Sequence, residues 1–338
     1  MRLKDIASEL GISVSTVSRT LNHPELNAAG PELTRRILEI AARGNYSPDP
    51  IARRLQSPQD IPQEENLYVL IARPPAEVRN DPFYYIISSS IASEAALCRR
   101  EIRCTYSVPD TGMHGLLADF VPEAPGDVII LGRFPISLLP RLRSLFRHIV
   151  YVGLNRIPDD CDQVICDGYE AMQDAISHLY QMGHELVGFI GAEPEEHRYR
   201  GFMRGAELLG LPREHVSMVS TAPLSMDSGY HGMLRLLAQA SRPTGVVCAN
   251  DMVAIGALQA CRDNGLRVPE DISLIGMDDI PSIRYVEPKL TTIHVPMEEM
   301  GRMAVRILQD RIRNSRTVPC RLMLPYSILE QESCRALT

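Results

Sequence analysis

The chain has 338 residues, 45% of them hydrophobic, which is enough to fill one large core beside a small second domain. Its formal net charge of −7 excludes a protein that coats nucleic acid through bulk charge, and no apolar run approaches the ~18 residues that a membrane-spanning helix needs. Eight cysteines (Cys98, Cys104, Cys161, Cys166, Cys248, Cys261, Cys320 and Cys334) include no CxxC pair and fall mostly in apolar segments, so reduced thiols are expected rather than disulfides or a metal site.

In the first segment Leu3, Ile6, Ala7 and Leu10 fall at i, i+3, i+4 and i+7, which predicts a short amphipathic helix. Gly11 ends it, since glycine takes up positive φ without steric cost. Ser13 is placed to cap a second helix with a spine of Val14, Val17 and Leu21. That leaves Ser15, Thr16, Arg19 and Asn22 outward, a small polar face able to enter a major groove. A third helix is expected over Leu33 to Arg43, with Ile37, Leu38, Ile40, Ala41 and the following Tyr46 closing a three-helix core. Residues 1–47 therefore read as an all-α helix-turn-helix head that binds DNA.

PDPIARRL at 48–55 suits a short helix, with Asp49 as cap and Pro50 in the first turn, and Arg53 and Arg54 can reach phosphate. QSPQDIPQEEN at 56–66 is polar and proline-containing, so residues 48–66 read as hinge and linker. Residues 1–58 carry a net +2 and the remainder −9, so the head is weakly basic and is expected to bind in pairs on two half-sites. From Leu67 short apolar strands alternate with helical stretches: LYVLIA, IRCTYSV, DVIIL, HIVYVG, QVIC, LVGFIG, SMVS, GVVCA and ISLIG. This βα rhythm predicts an α/β domain of two doubly wound parallel sheets over 67–338, in which ligand groups lie just after strands.

LKDIASELGIS followed by STVSRTLN resembles the DNA-reading head of the lactose/galactose repressor (LacI/GalR) family, and the spacing of ILEIAARGNY is most similar to its evolved β-galactosidase repressor subgroup. The likeness extends over nearly the whole chain. It implies base readout by Val14, Ser15 and Arg19, and a hinge helix in which Leu55 wedges between base steps while Ala52 allows close approach. It also implies two periplasmic-binding-protein-like lobes, with the chain passing between them near Asp162, Thr291 and Leu322. HRYRGF matches the family's RxxGF signature and marks Arg198 as a sugar-gripping arginine. Asn250 in the AND motif, Asp278 after ISLIGM, and Asp81, Phe83 and Tyr84 in NDPFYY are the other implied ligand residues. Two structural readings stay open here: Asn250 or Asp251 as a helix cap, and Phe83 as core. Asp279 reads as the structural member of its pair. Leu33 stands where the family has threonine, and Gly44 where it has leucine. There is no tryptophan, and the positions aligned with the lactose repressor's pocket aromatics read Cys166, Leu224 and Met297.

No GxxxxGK[ST], HExxH, GxSxG or GxGxxG motif occurs, so no catalytic residue, metal or cofactor is expected. The chain starts on an amphipathic helix rather than a secretory signal, and a cytoplasmic location is expected. The tail SILEQESCRALT is too short for a tetramerising coiled coil. These observations predict a homodimeric repressor of a sugar-utilisation operon, released from double-stranded operator DNA by a small sugar, with galactosides first. A corepressor-dependent regulator and a cytoplasmic small-ligand-binding protein are the alternatives.

Overall fold

The computed structural model describes residues 3–22, 30–43, 66–107, 115, 117, 120–158 and 160–337. The chain divides into two units, residues 1–63 and 64–338. The expected hinge residues Ala52, Arg53 and Leu55, and Tyr46 and Gly44 before them, lie outside the described residues.

In the first unit α1 (Leu3–Leu10), α2 (Val14–Asn22) and α3 (Pro31–Arg43) bury Ile6, Ala7, Val17, Ile37, Ile40 and Ala41, with Leu10, Ile12, Leu21 and Leu33 packed against them. Gly11, with φ of +65°, makes the turn between α1 and α2. Ser13 Oγ then accepts a hydrogen bond from the Thr16 amide at 3.1 Å, satisfying one of the orphan donors that open α2. Leu38 is not in the core: it is 53% exposed, because it sits one step off the stripe formed by Leu33, Ile37, Ile40 and Ala41. Val14 is 46% exposed rather than part of the spine. A helical side chain covers the turn that precedes it, and the first residue of α2 has no such turn to cover.

The second unit holds two six-stranded sheets. The first takes β1 (Asn66–Ile71), β2 (Ile102–Ser107), β3 (Gly126–Leu131), β4 (Ile149–Gly153), β5 (Asp162–Ile165) and β11 (Arg321–Met323) in the order β2-β1-β3-β4-β5-β11, all parallel. The second takes β6 (Val187–Gly191), β7 (Val216–Ser220), β8 (Gly245–Cys248), β9 (Ser273–Asp278), β10 (Thr291–His294) and β12 (Ser327–Leu329) in the order β7-β6-β8-β9-β10-β12. Only β12 runs antiparallel to its neighbour. The central strands β1, β3, β4, β6, β8 and β9 are buried at every position, which is why they read as unbroken apolar runs.

The α-helices described in this unit include α4 (Pro75–Asn80), α5 (Pro82–Leu97), α6 (Leu139–Leu145), α7 (Gly168–Gln181), α8 (His197–Leu208), α9 (Met226–Leu237), α10 (Asp251–Asp263) and α11 (Met297–Arg313). The chain passes between sheets after β5, after β10 and after β11. Helix α11 returns to the first lobe, where Arg306 pairs with Glu94 of α5 at 2.9 Å and Arg311 with Asp162 of β5. Asp162 is fully buried and also accepts from Arg316 and from the Cys320 amide, so one carboxylate ties α11 to β5 and to the lead into β11. Its carboxyl is held below the usual range: burial acts against the charge, and the Arg311 and Arg316 hydrogen bonds outweigh it.

Candidate functional site

The carboxyl ends of both sheets face a cavity of about 380 Å³ lined from both lobes. Asp81, Phe83, Tyr84, Arg198, Asn250 and Asp278, which the sequence placed on four separate segments, all line it.

From the first lobe, β1 leads through α4 to Asp81, which caps α5 by accepting from the Phe83 amide at 3.0 Å. Pro82 fixes the first turn of that helix. Phe83 and Tyr84 follow at once, both buried, with their rings edge to face at a centroid distance of 5.3 Å. Both line the cavity and both belong to the core, so packing and contact with the cleft are not alternatives for Phe83. Tyr84 lies over Gly132, where a Cβ would come within 3.2 Å of its hydroxyl. Burial pushes the Tyr84 phenol up to about 12.

From the second lobe, Glu196 caps α8 and also receives both the Arg198 amide, at 3.0 Å, and the Arg198 Nε, at 3.2 Å. Arg198 Nη1 donates to the Ala249 carbonyl at 2.7 Å, which holds the guanidinium plane across the end of β8. Burial opposes the charge of Arg198, but Glu196 and Asp278 outweigh it and its pKa is raised. Asn250 caps α10 through Val253 N at 2.9 Å while lining the cavity. Its neighbour Asp251 turns away. It accepts from Thr292 Oγ1 at 2.6 Å and Ile280 N at 3.0 Å, and burial pushes its carboxyl up to about 7. Gly276 leaves room for that carboxylate, since a Cβ there would meet Asp251 Oδ1 at 2.1 Å.

Asp278 ends β9 with φ of +115°, a backbone region that side-chain-bearing residues rarely adopt. It is buried, and its Oδ1 has no hydrogen-bond partner among the described residues. Burial first, then the charges of Asp81 and Asp251, hold its carboxyl well above the usual range, against the pull of Arg198. Asp81 is raised for the same leading reason, its Phe83 hydrogen bond and the nearby arginines opposing. Asp279 pairs with His294 Nδ1 at 2.9 Å. Two carboxyls from opposite lobes thus flank one arginine, an array that can accept from and donate to adjacent hydroxyls.

Several lining residues carry no motif and were not singled out from sequence: Arg73, Glu77, Arg133, Asn155, Glu193 and Glu196. Four of them share a signal of position, for Arg73, Arg133, Asn155 and Glu193 each come within two residues of the end of a strand. Of the three positions expected at the aromatic places, Leu224 borders the cavity, whereas Cys166 and Met297 are core residues. Arg19 and Asn22 lie in α2, as Ser15 and Thr16 do, and Ser15 is exposed. Ser13 Oγ lies 2.8 Å from both Ser15 Oγ and Thr16 Oγ1, so the start of α2 is a cluster of hydroxyls.

Residues 2–49 match the bacterial regulatory proteins of the lacI family, and residues 176–334 match the periplasmic binding protein-like domain. The HTH-type transcriptional repressor MelR of Bacillus subtilis is 30% identical over 345 residues, covering 99% of this chain and 97% of MelR. Among solved structures, a complex of the transcriptional regulator CelR with cellobiose shares the fold at a TM-score of 0.70 and 22% identity, over 98% of this chain and 99% of that one. The lac repressor dimer bound to operator and the anti-inducer ONPF does so at 0.67 and 22%, over 99% of each chain.

Proposed function

The chain belongs to the LacI family of bacterial regulatory proteins, a DNA-binding transcriptional repressor and not an enzyme, and on that premise we propose the signal it answers to. It acts as a homodimer on double-stranded operator DNA in the bacterial cytoplasm, and a small neutral sugar bound between its lobes releases it from a sugar-utilisation operon. A galactoside is the first candidate. Asp278 carries the reading: a buried carboxyl oxygen without a partner among the described residues, facing a cleft that Asp81 and Arg198 enter from the two lobes, is a place for a ligand hydroxyl. The complex of CelR with cellobiose supports a sugar in a fold of this kind.

In the proposed complex Ser13, Val14, Ser15, Thr16, Arg19 and Asn22 meet the major groove, and Ala52, Arg53 and Leu55 the minor groove at the centre. The exposure of Val14 and Ser15 on the outer side of α2 favours this face. A ligand held by residues of both lobes favours the closed arrangement over the open one, and it shifts DNA binding only by its differential affinity for the two. Operator affinity, measured by titration with and without mono- and disaccharides, is expected to fall by about tenfold or more with the effector. Tightening instead would assign a corepressor, and no change with any sugar would remove the sugar reading.

A further inference from the structure

The second lobe carries a groove of about 460 Å³ between α8 and the segment that leads into β7. None of the residues that line it lines the cavity between the lobes. The helical repeat builds its first wall: Gly201 and Gly205 pack on α7, which leaves Tyr199, Arg200, Met203 and Arg204, at spacings of one, four and five residues, to form a separate face of α8. Tyr199, Met203 and Leu211 are half-buried and rest on the hydrophobic core. The Tyr199 ring meets Phe189 of β6 edge to face, with centroids 6.0 Å apart. Arg200, Arg204 and Arg213 are exposed, so an apolar base is joined to cationic groups on its solvent side.

Three guanidiniums stand against one carboxylate in this lining, the reverse of the balance of a chain that carries −7. Glu207 is that carboxylate, and Arg204 holds it at 2.7 Å. Arg213 Nη1 donates to the Val216 carbonyl at 2.7 Å, which steadies the side chain without neutralising it. Among the described residues no carboxylate pairs with Arg213 or with Arg200. A phosphate monoester carries about −1.5 to −2 charges at neutral pH and three acceptor oxygens, and the planar fork of an arginine meets two such oxygens at once. Nine residues line the groove, well short of the ~20–30 on each side of a stable protein interface, whereas its volume falls within the ~300–1,000 Å³ of small-molecule pockets.

We propose that this groove is a second ligand site, which takes a small organic phosphate: Arg200 and Arg213 hold the phosphoryl group, and an apolar body rests on Tyr199, Met203 and Leu211. The site goes beyond the sugar reading above and does not depend on it.

The test is calorimetric titration of the full chain with phenyl phosphate and AMP, beside inorganic phosphate, phenol and adenosine. At least one of the two esters is expected to bind about tenfold tighter or more than inorganic phosphate and than its own dephosphorylated parent. Arg200→Ala and Arg213→Ala, which lie on separate elements, should each weaken that ester about tenfold while leaving operator affinity and the thermal unfolding midpoint in place. Should either alanine variant lower the midpoint, Arg200→Gln or Arg213→Gln carries the same test. Absence of ester binding, or inorganic phosphate binding as tightly as the esters, would overturn the site. So would ester binding that survives both substitutions, which would place the ligand elsewhere, the cleft included. Displacement of the ester by operator DNA, or weakened operator binding in the arginine variants, would make the patch a nucleic-acid contact instead.

Discussion

At the scale of single residues, Asp278 concentrates several costs. It is an aspartate at φ of +115°, a conformation worth about 1–3 kcal/mol of strain, with a carboxyl buried and one oxygen unpartnered among the described residues. Because its folded pKa is raised above the ordinary carboxylate value, the folded state binds a proton that the unfolded state does not in the window between the two. Its contribution to stability is therefore greatest below the ordinary value and is lost as pH rises through the raised one. Asp278→Asn keeps the shape and tolerates the backbone while removing the charge. Thermal unfolding should show this variant more stable than the parent at neutral pH and equal to it near pH ~4, while its response to effector is lost. A variant less stable at neutral pH would mean that Asp278 is structural. The identity of this residue was legible because it follows an apolar strand; its strain and its missing partner were not, since both depend on what β9 and the neighbouring loops place around it.

At the scale of elements, the RxxGF signature separates into two causes. Arg198 is held by Glu196 for the cleft, but Gly201 serves the packing of α8 on α7: a Cβ there would lie 2.2 Å from the Tyr169 carbonyl oxygen. Backbone cannot yield as a side-chain end can, so Gly201→Ala should cost about 1–3 kcal/mol in chemical denaturation, without changing which sugar binds. An unchanged midpoint would mean that α7 and α8 separate freely. The capping residues show the same double use. Asp81 and Asn250 each start a helix and each border the cavity, so the cap that the sequence offered for Asn250 stands beside its place in the cavity lining. In the head, the apolar periodicity of α1 and α3 located the core stripe, and Leu38 departed from it only because composition without helical phase cannot tell an inward leucine from an outward one.

For the whole molecule, a head with a net charge of only +2 on a chain of −7 has little electrostatic affinity to spend alone. Two linked heads raise the effective concentration of the second contact, which is the physical case for a dimer. Light scattering should give twice the 37.7 kDa chain mass and no tetramer. The C-terminal segment is committed to the second lobe: Ser333 Oγ donates to the Leu274 carbonyl, Arg335 N donates to Ser273 Oγ at 3.2 Å, and Leu337 N to the Met182 carbonyl at 2.8 Å. Tail residues bonded in this way are not free to enter a coiled coil.

The sequence alone determined what is local and periodic: the helix–turn–helix of the head, the strand rhythm of two parallel sheets, and the residues that follow strands or sit in short motifs. Those signals are carried by neighbouring residues and by the 3.6- and two-residue repeats of the backbone, so no long-range information is needed to see them. Tertiary structure decided which of these residues share one cavity, that Asp251 turns to Thr292 while Asn250 faces the cleft, and that Arg133 and Glu193 line that cavity from different sheets. Such facts arise where segments distant in sequence converge around the carboxyl ends of two sheets, and no spacing within one segment records that meeting.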